Sequence, residues 1–391
     1  MKFFKLSEPK TVLPFALRLL ENYGLRGGNR RFLQFQLTVL WTVVMIDFPK
    51  IFLGFPDHLD LVIRSLSELL FQLHIQIRIV IFAWNRSKFE EMIAIMRKVY
   101  NKLFSANGDS TLKDIVLESN TIIDRRSKGY FLYILGCVSL FSLAPVVQSV
   151  MIFVVNKSGN GTEKAEYVTM MEQEFYGLNV RGNFGHYVIY VALAGLGHYY
   201  SAVFFAIVGV VMLCGVSCSI VLFRLVIVRL NKLHELSGSE LREELRDIID
   251  LHGDALKCTQ LLEKIANLAM IVQMVDCVLI WISMVLYVRD NLDVNAISVL
   301  VLLVVLTGET YALCNLLTKL TGESLAVTRA IIDCPWYGLP LDVQKALSFV
   351  IFRAQRKEGI TAAKFFFMDI ERFGKVAQTS YSIYVVLKDQ L

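Results

Sequence analysis

Charge is scarce in this chain. Asp, Glu, Lys and Arg make up 19% of its 391 residues against 55% hydrophobic ones, and the mean hydropathy is +0.52. Soluble domains carry about 25% charged residues, so a soluble globular protein of this composition would expose too much apolar surface. Proline is also rare, at seven residues beside 26 Phe, which excludes collagen-like, linker-rich and disordered chains. Seven cysteines are too sparse, and odd in number, for a secreted disulfide scaffold. No phosphate loop is present: Gly24, Gly27 and Gly28 sit among arginines with no Lys-Ser/Thr after them. The six His do not pair with Cys or carboxylates at metal-ligand spacing. Cys214 and Cys218 share a helix face inside an apolar run, where packing is the commoner role. Basic residues flank apolar runs and form no aromatic-interleaved patch, which argues against nucleic acid. Neither an enzyme nor a metal or cofactor site emerges.

What is present is apolar sequence in runs long enough to cross a bilayer, which takes about 20 residues of helix. Spans are expected at 32–53, 61–84, 130–155, 186–216, 267–288 and 296–320, with a shorter seventh at 374–391. The fold class is therefore an all-α membrane protein of seven helices. The first span lies too far into the chain, and is too long, for a cleaved signal peptide. Asp47 and Lys50 in the first span, and Arg64, Glu68 and Arg78 in the second, should face protein, a wet cavity or a helix end.

Lys and Arg gather in the amino-terminal segment and in the loops after spans two and four. The loop around Pro56-Asp57-His58 has none, and the loop after span three balances three basic residues with four glutamates. The positive-inside rule puts the amino terminus in the cytoplasm and, with seven spans, the carboxyl terminus outside. Two sequons, at Asn156 and Asn160, fall in the same outside loop. A G-protein-coupled receptor would have the opposite orientation. This chain has no Asp-Arg-Tyr after span three and no Asn-Pro-x-x-Tyr in its last span.

The cytoplasmic loops carry helical apolar stripes: Phe89, Ile93, Met96, Val99 and Leu103; Leu241, Leu245, Ile248, His252 and Leu256; Val343, Leu347, Val350, Ile351 and Ala354. Three such helices should pack together beneath the membrane, with spans four, five and six extending into an anchor bundle that serves subunit contacts. The expected divisions are 1–33 as a cytoplasmic segment, 34–320 as six transmembrane helices, 321–370 as anchor and 371–391 as the last helix.

Two places invite a ligand or an ion. Ser142, Pro145, Gln148 and Ser149 lie near the outer end of span three. Span four opens with His186, Tyr187 and Tyr190 before Gly195, Gly197, His198, Tyr199 and Tyr200. Aromatic walls with a few hydroxyls suit a small apolar ligand; an aromatic belt at the interface would read the same way. In the last helix, Gln378, Thr379, Tyr381, Ser382 and Lys388 recur at helical spacing. Copies of it around an axis would line a pore with Tyr384 and Leu387 at an apolar constriction; a packed seventh helix is the plainer alternative.

From Thr310 to Leu391 the chain resembles the insect odorant receptors. The matching features are Tyr311 to Cys314, Gly322-Glu323-Ser324, Asp333-Cys334-Pro335-Trp336-Tyr337, Ala354-Gln355-Arg356-Lys357, Thr361 to Phe367, Phe373 and Thr379-Ser380-Tyr381-Ser382. Upstream of Thr310 the likeness is one of pattern. The loop after span four lacks the large insertion of the shared co-receptor, so the resemblance is to a ligand-tuning subunit. It implies an odorant-gated, non-selective cation channel in the plasma membrane of an olfactory neuron dendrite. The partners would be co-receptor subunits in a hetero-oligomeric tetramer, a small volatile and membrane lipid. On this reading the odorant site takes Leu69, Leu73, Ser142, Pro145, Ser149, Tyr190, His198, Tyr199, Leu302 and Leu306, and the pore takes Tyr384, Val385, Leu387 and Lys388. Lys388 departs from what a cation pathway favours, and Asp389 beside it offsets the charge. A seven-helix G-protein-coupled receptor and a small-molecule transporter remain as alternatives.

Overall fold

A computed structural model describes residues 12–53, 59–105, 110–158, 165–290 and 294–388. Among them, six helical segments are long and apolar enough to cross a membrane: Asn29–Phe52, Leu61–Leu103, Ser110–Ser158, Phe184–Glu235, Gly238–Arg289 and Ala296–Asp333. Each coincides with one of the six long runs expected from sequence.

The chain opens with a short helix, α1 (Pro14–Asn22), whose first residue is proline. Proline suits that position because its missing amide would be unpaired there anyway. Two amides at this helix start are met from another helix: Leu13 N–H donates to Asn120 Oδ1 at 3.2 Å and Phe15 N–H to Asp124 Oδ1 at 3.0 Å. The carboxylate is well placed against the positive end of the helix dipole, and Lys128 pairs with its other oxygen at 2.5 Å. α2 (Asn29–Thr42) runs through one π turn, Val43–Asp47, into α3 (Phe48–Phe52). Pro49 has no amide to give the carbonyl four residues back, and the helix widens just before it.

The long helices are α4 (Leu59–Leu103), α5 (Ser110–Ser158), α6 (Phe184–Lys232), α7 (Gly238–Asp290) and α8 (Val294–Asp333). At 1.5 Å per residue, a helix of some 50 residues is about 75 Å long, more than twice a hydrocarbon core of about 30 Å. Each therefore projects well past any bilayer. Spans two and three extend in this way as well as the expected four, five and six. The stripe at Phe89–Leu103 is the continuation of α4 and the stripe at Leu241–Leu256 is the first half of α7, so neither is a separate loop helix. The two halves pack side by side, with Lys98–Asp254 at 2.8 Å, Lys102–Asp247 at 2.6 Å and Lys257–Glu91 at 2.6 Å along their exposed seam. Arg229 joins from α6 through Glu244 at 2.6 Å and Asp247 at 3.1 Å.

α8 continues unbroken past residue 320 to Asp333. The third stripe is a helix of its own, α9 (Leu341–Ala354), docked by Val343, Leu347, Val350 and Ala354. A two-stranded hairpin follows, β1 (Thr361–Ala362) and β2 (Phe366–Phe367), and Thr361 N–H is anchored on Glu263 of α7 at 2.8 Å. The last helix is α10 (Ile370–Lys388).

α6 stands at the centre, with 94% of its most apolar window buried. Small residues let neighbours close on it, as they do between helices in membranes. At Gly209 an added Cβ would overlap the Tyr130 phenol of α5, and at Gly215 it would come within 2.7 Å of Leu262 of α7.

Candidate functional site

A cavity of about 50 Å³ lies where α4, α5, α6 and α8 converge, close to the loop that joins α5 to α6. Phe71 and Ile75 of α4, Phe141 of α5, Phe205 of α6 and Leu302 of α8 are part of its apolar wall. The polar side chains are few: Gln72, His198, Ser201 and Cys137. Gln72 donates to Ser201 Oγ at 2.7 Å across the wall. His198 Nε2 meets the Met171 sulfur at 2.7 Å, and its Nδ1 has no protein partner among the described residues. An apolar, enclosed space with a few fixed polar groups is the usual form of a small-molecule site.

The roof is the segment 165–183. Met171 reaches the cavity from it, and three neighbouring helices pin it. Ser149 Oγ of α5 accepts from Val168 N–H at 2.8 Å and lies 3.0 Å from the Val168 carbonyl. Tyr190 Oη of α6 accepts from Met171 N–H at 3.1 Å. From α4, Glu68 accepts from Glu172 N–H at 2.9 Å, and Ser65 Oγ donates to the Glu172 carbonyl at 2.9 Å.

Charges around that anchor are fully packed. Lys50 pairs with Glu68 at 2.7 Å and Arg64 with the same carboxylate at 2.9 Å. Arg64 also reaches Glu172 at 3.3 Å, and Arg181 closes on the other Glu172 oxygen. Burial pushes the Glu172 carboxyl up from its ordinary range, while Arg64 and Arg181 pull it down less strongly. Lys50, Arg64 and Glu68, three of the intramembrane charges noted in the sequence, thus hold the loop to two helices and one another.

A second polar knot sits within one turn of the lining residue Ile75 on α4. Arg78 grips Glu309 of α8 with two bonds, at 3.0 and 2.9 Å, and touches His74 Nε2 at 3.0 Å. His74 Nδ1 meets Asp276 of α7 at 2.9 Å. Next to it, Gln273 of α7 donates to Thr310 of α8 at 2.6 Å. The two helices tied here go on to carry α10: Trp281 and Tyr311 both pack edge-on against Phe373, with ring centroids 6.0 and 5.6 Å away. An open groove of about 410 Å³ runs between α7, α8 and α10, bounded by Trp281, Thr307, Ser380, Tyr381 and Tyr384.

Of the ten residues expected to form the odorant site, His198 and Leu302 line the cavity. Ser149 and Tyr190 hold the roof rather than the wall. Pro145 is buried beside it: the Phe141 carbonyl, which a proline four residues on cannot bond, faces Ser298 Oγ at 3.5 Å. Leu69 and Leu73 sit on α4 rotated away from the lining positions Phe71, Gln72 and Ile75. Ser142 follows the lining residue Phe141, and Leu306 is packed in the core beside Val305. Tyr199 faces away, its hydroxyl 2.8 Å from that of Tyr23. Phe205 and Met171 escaped notice in the sequence because their position depends on a roof and a helix phase that no local pattern encodes. Tyr384, Val385 and Leu387 are half-buried on α10; the Lys388 side chain, and the whole of Asn160, lie outside the described residues. Asn156 exchanges two side-chain bonds with Ala165, at 2.9 and 3.2 Å.

The family model described as 7tm Odorant receptor matches residues 58–381. The chain belongs to this odorant receptor family. Odorant receptor 2a of Drosophila melanogaster is 24% identical to this receptor over 152 residues, which is 38% of this chain and 37% of that one. The fold is that of the insect olfactory receptor OR5 from Machilis hrabei. Its structure superposes with a TM-score of 0.70 at 13% identity, covering 92% of this chain and 89% of that one. The same receptor in complex with eugenol gives 0.79 at 12% identity, covering 97% and 98%. The receptor is therefore a multi-pass membrane protein of all-α architecture, as expected from its sequence.

Proposed function

We propose that this chain is the odorant-tuning subunit of a heteromeric, odorant-gated cation channel, working with co-receptor subunits in the plasma membrane of a sensory neuron. Its amino terminus is cytoplasmic and the roofed cavity opens towards the outer leaflet. The observation that carries this reading is the apolar cavity enclosed by four helices of an odorant receptor fold. The eugenol bound by the Machilis receptor supports a small volatile as occupant.

Affinity comes from apolar burial, at about 25 cal/mol per Å². For a volatile of some ten heavy atoms this gives roughly micromolar binding. About 50 Å³ holds only a few water-sized spheres, so the occupant displaces side chains, and Met171 on its loop is the most adaptable of them. Expansion there presses on Leu302 and Val305 of α8, one turn from Glu309. The knot of Arg78, Glu309, His74 and Asp276 then shifts α7 and α8 together, and Phe373 carries the shift to α10. Copies of α10 line the pore, with Tyr384, Val385, Leu387 and Lys388 on its wall. Opening follows if the volatile binds the open arrangement more tightly than the closed one.

The test is to express the chain with a co-receptor and apply volatiles to outside-out patches without nucleotide. Rapid cation current is the expected result, and Cys137→Trp, which fills the cavity from its half-buried α5 side, should abolish it at unchanged surface expression. Currents that need GTP, or saturable uptake without unitary openings, would replace the channel reading with a receptor or a transporter.

A further inference from the structure

We infer that the cavity selects volatiles bearing a hydrogen-bond donor (an alcohol, a phenol or an N–H heteroaromatic), and that His198 Nδ1 is the acceptor that selects them. The inference rests on the cavity being the odorant site and adds the chemical class of its occupant.

The preference follows from which ring nitrogen carries the proton. His198 Nε2 lies 2.7 Å from the sulfur of Met171. A thioether accepts hydrogen bonds and has nothing to donate, so the proton is on Nε2. A second proton, on Nδ1, would place an unpaired charged N–H in an apolar wall, which is costly. The ring is therefore neutral and Nδ1 is a bare lone pair.

That lone pair is unanswered. Among the described residues, Nδ1 is the only buried side-chain nitrogen or oxygen of the cavity lining without a protein partner. His198 is only 6% exposed. Gln72 donates to Ser201 Oγ at 2.7 Å, and Phe141 packs edge-on against the imidazole at 5.7 Å, which fixes the ring plane. Met171 is itself held through its backbone by Tyr190 at 3.1 Å, so the sulfur that sets the tautomer is kept in place. An occupant with a hydroxyl or N–H end gains a bond here. An ester, ketone or aldehyde has no proton to give Nδ1 and gains nothing there.

The test uses the full chain, purified in detergent, and follows saturable thermal stabilisation by three probes of nearly equal shape: 4-methylphenol, 1,4-dimethylbenzene and 4-methylbenzaldehyde. One net hydrogen bond should make the phenol bind about tenfold more tightly than the hydrocarbon, with the aldehyde weakest. In His198→Leu the order should reverse, because the hydroxyl then loses water and finds no partner. Met171→Leu frees the tautomer, so the aldehyde should gain on the phenol; this variant serves if His198→Leu does not fold. A phenol preference that persists in His198→Leu, or is undiminished in Met171→Leu, overturns the assignment to His198 and leaves the cavity reading standing. Binding of all three probes unaffected by Cys137→Trp, or no binding by any of them, overturns the cavity reading and this inference with it.

Discussion

Arg78 is almost completely buried and meets Glu309, His74 and the face of Phe205, whose ring centroid is 5.4 Å from the guanidinium. Removing one member of a buried pair leaves the other charge stranded, which typically costs roughly 3–5 kcal/mol. Arg78→Ala should therefore collapse surface expression and thermal stability. The double change Arg78→Met with Glu309→Leu should recover most of the loss, since no charge is then left alone. Arg78→Lys should rescue poorly, because an ammonium cannot reproduce the two-pronged contact with the carboxylate. Gly209 is sensitive for a steric reason: the Tyr130 phenol occupies the space a methyl would need. Gly209→Ala should cost about 1–3 kcal/mol as overpacking, read as a lower midpoint of thermal unfolding. These residues also show where sequence reading stops. The charges at Arg64, Glu68 and Arg78 were legible as facing protein, a wet cavity or a helix end, but Glu172 and Glu309, which pair with the two arginines, are far along the chain and follow no local spacing.

At the scale of elements, the roof segment 165–183 is the part most dependent on side chains rather than on its own secondary structure. Tyr190→Phe removes the hydroxyl that meets Met171 N–H and should weaken the roof by about 1 kcal/mol. Amide hydrogen exchange should accelerate around Met171 while α6 itself stays protected. If exchange is unchanged, the roof is held by the Glu68 and Ser149 contacts alone. The long helices were legible because a bilayer imposes about 20 apolar residues on each crossing. Their continuity was not. An amphipathic stripe after a polar stretch looks like a new helix in a loop, and only the register of α4 against α7 shows that Phe89–Leu103 prolongs a span. Helix phase explains the cavity wall in the same way: Leu69 and Leu73 are apolar and lie beside the lining residues in sequence, yet Phe71, Gln72 and Ile75 take the positions that face the cavity.

At the scale of the molecule, the proposed channel separates binding from conduction. The cavity lies among α4, α5, α6 and α8, and α10 packs against α7 and α8 through Phe373. Deleting 374–388 should leave volatile-induced thermal stabilisation intact and abolish odorant current from the assembled complex. Loss of both would mean that α10 is needed to fold the bundle. The carboxyl-terminal resemblance motifs now have physical places: Thr361 to Phe367 forms the hairpin held by Glu263, and Phe373 is the contact between the last helix and the bundle.

The enclosure of α6 bears on how such a receptor can be retuned. A helix surrounded by its own chain has no slack, so a larger residue there must displace a sibling helix before it can alter selectivity. Cys137 and Val138 border the same cavity from α5 but are only half-buried, so a change of size there alters the cavity without displacing a sibling helix. New scent preferences should therefore be reached at lower cost by changing that rim than by changing the central column.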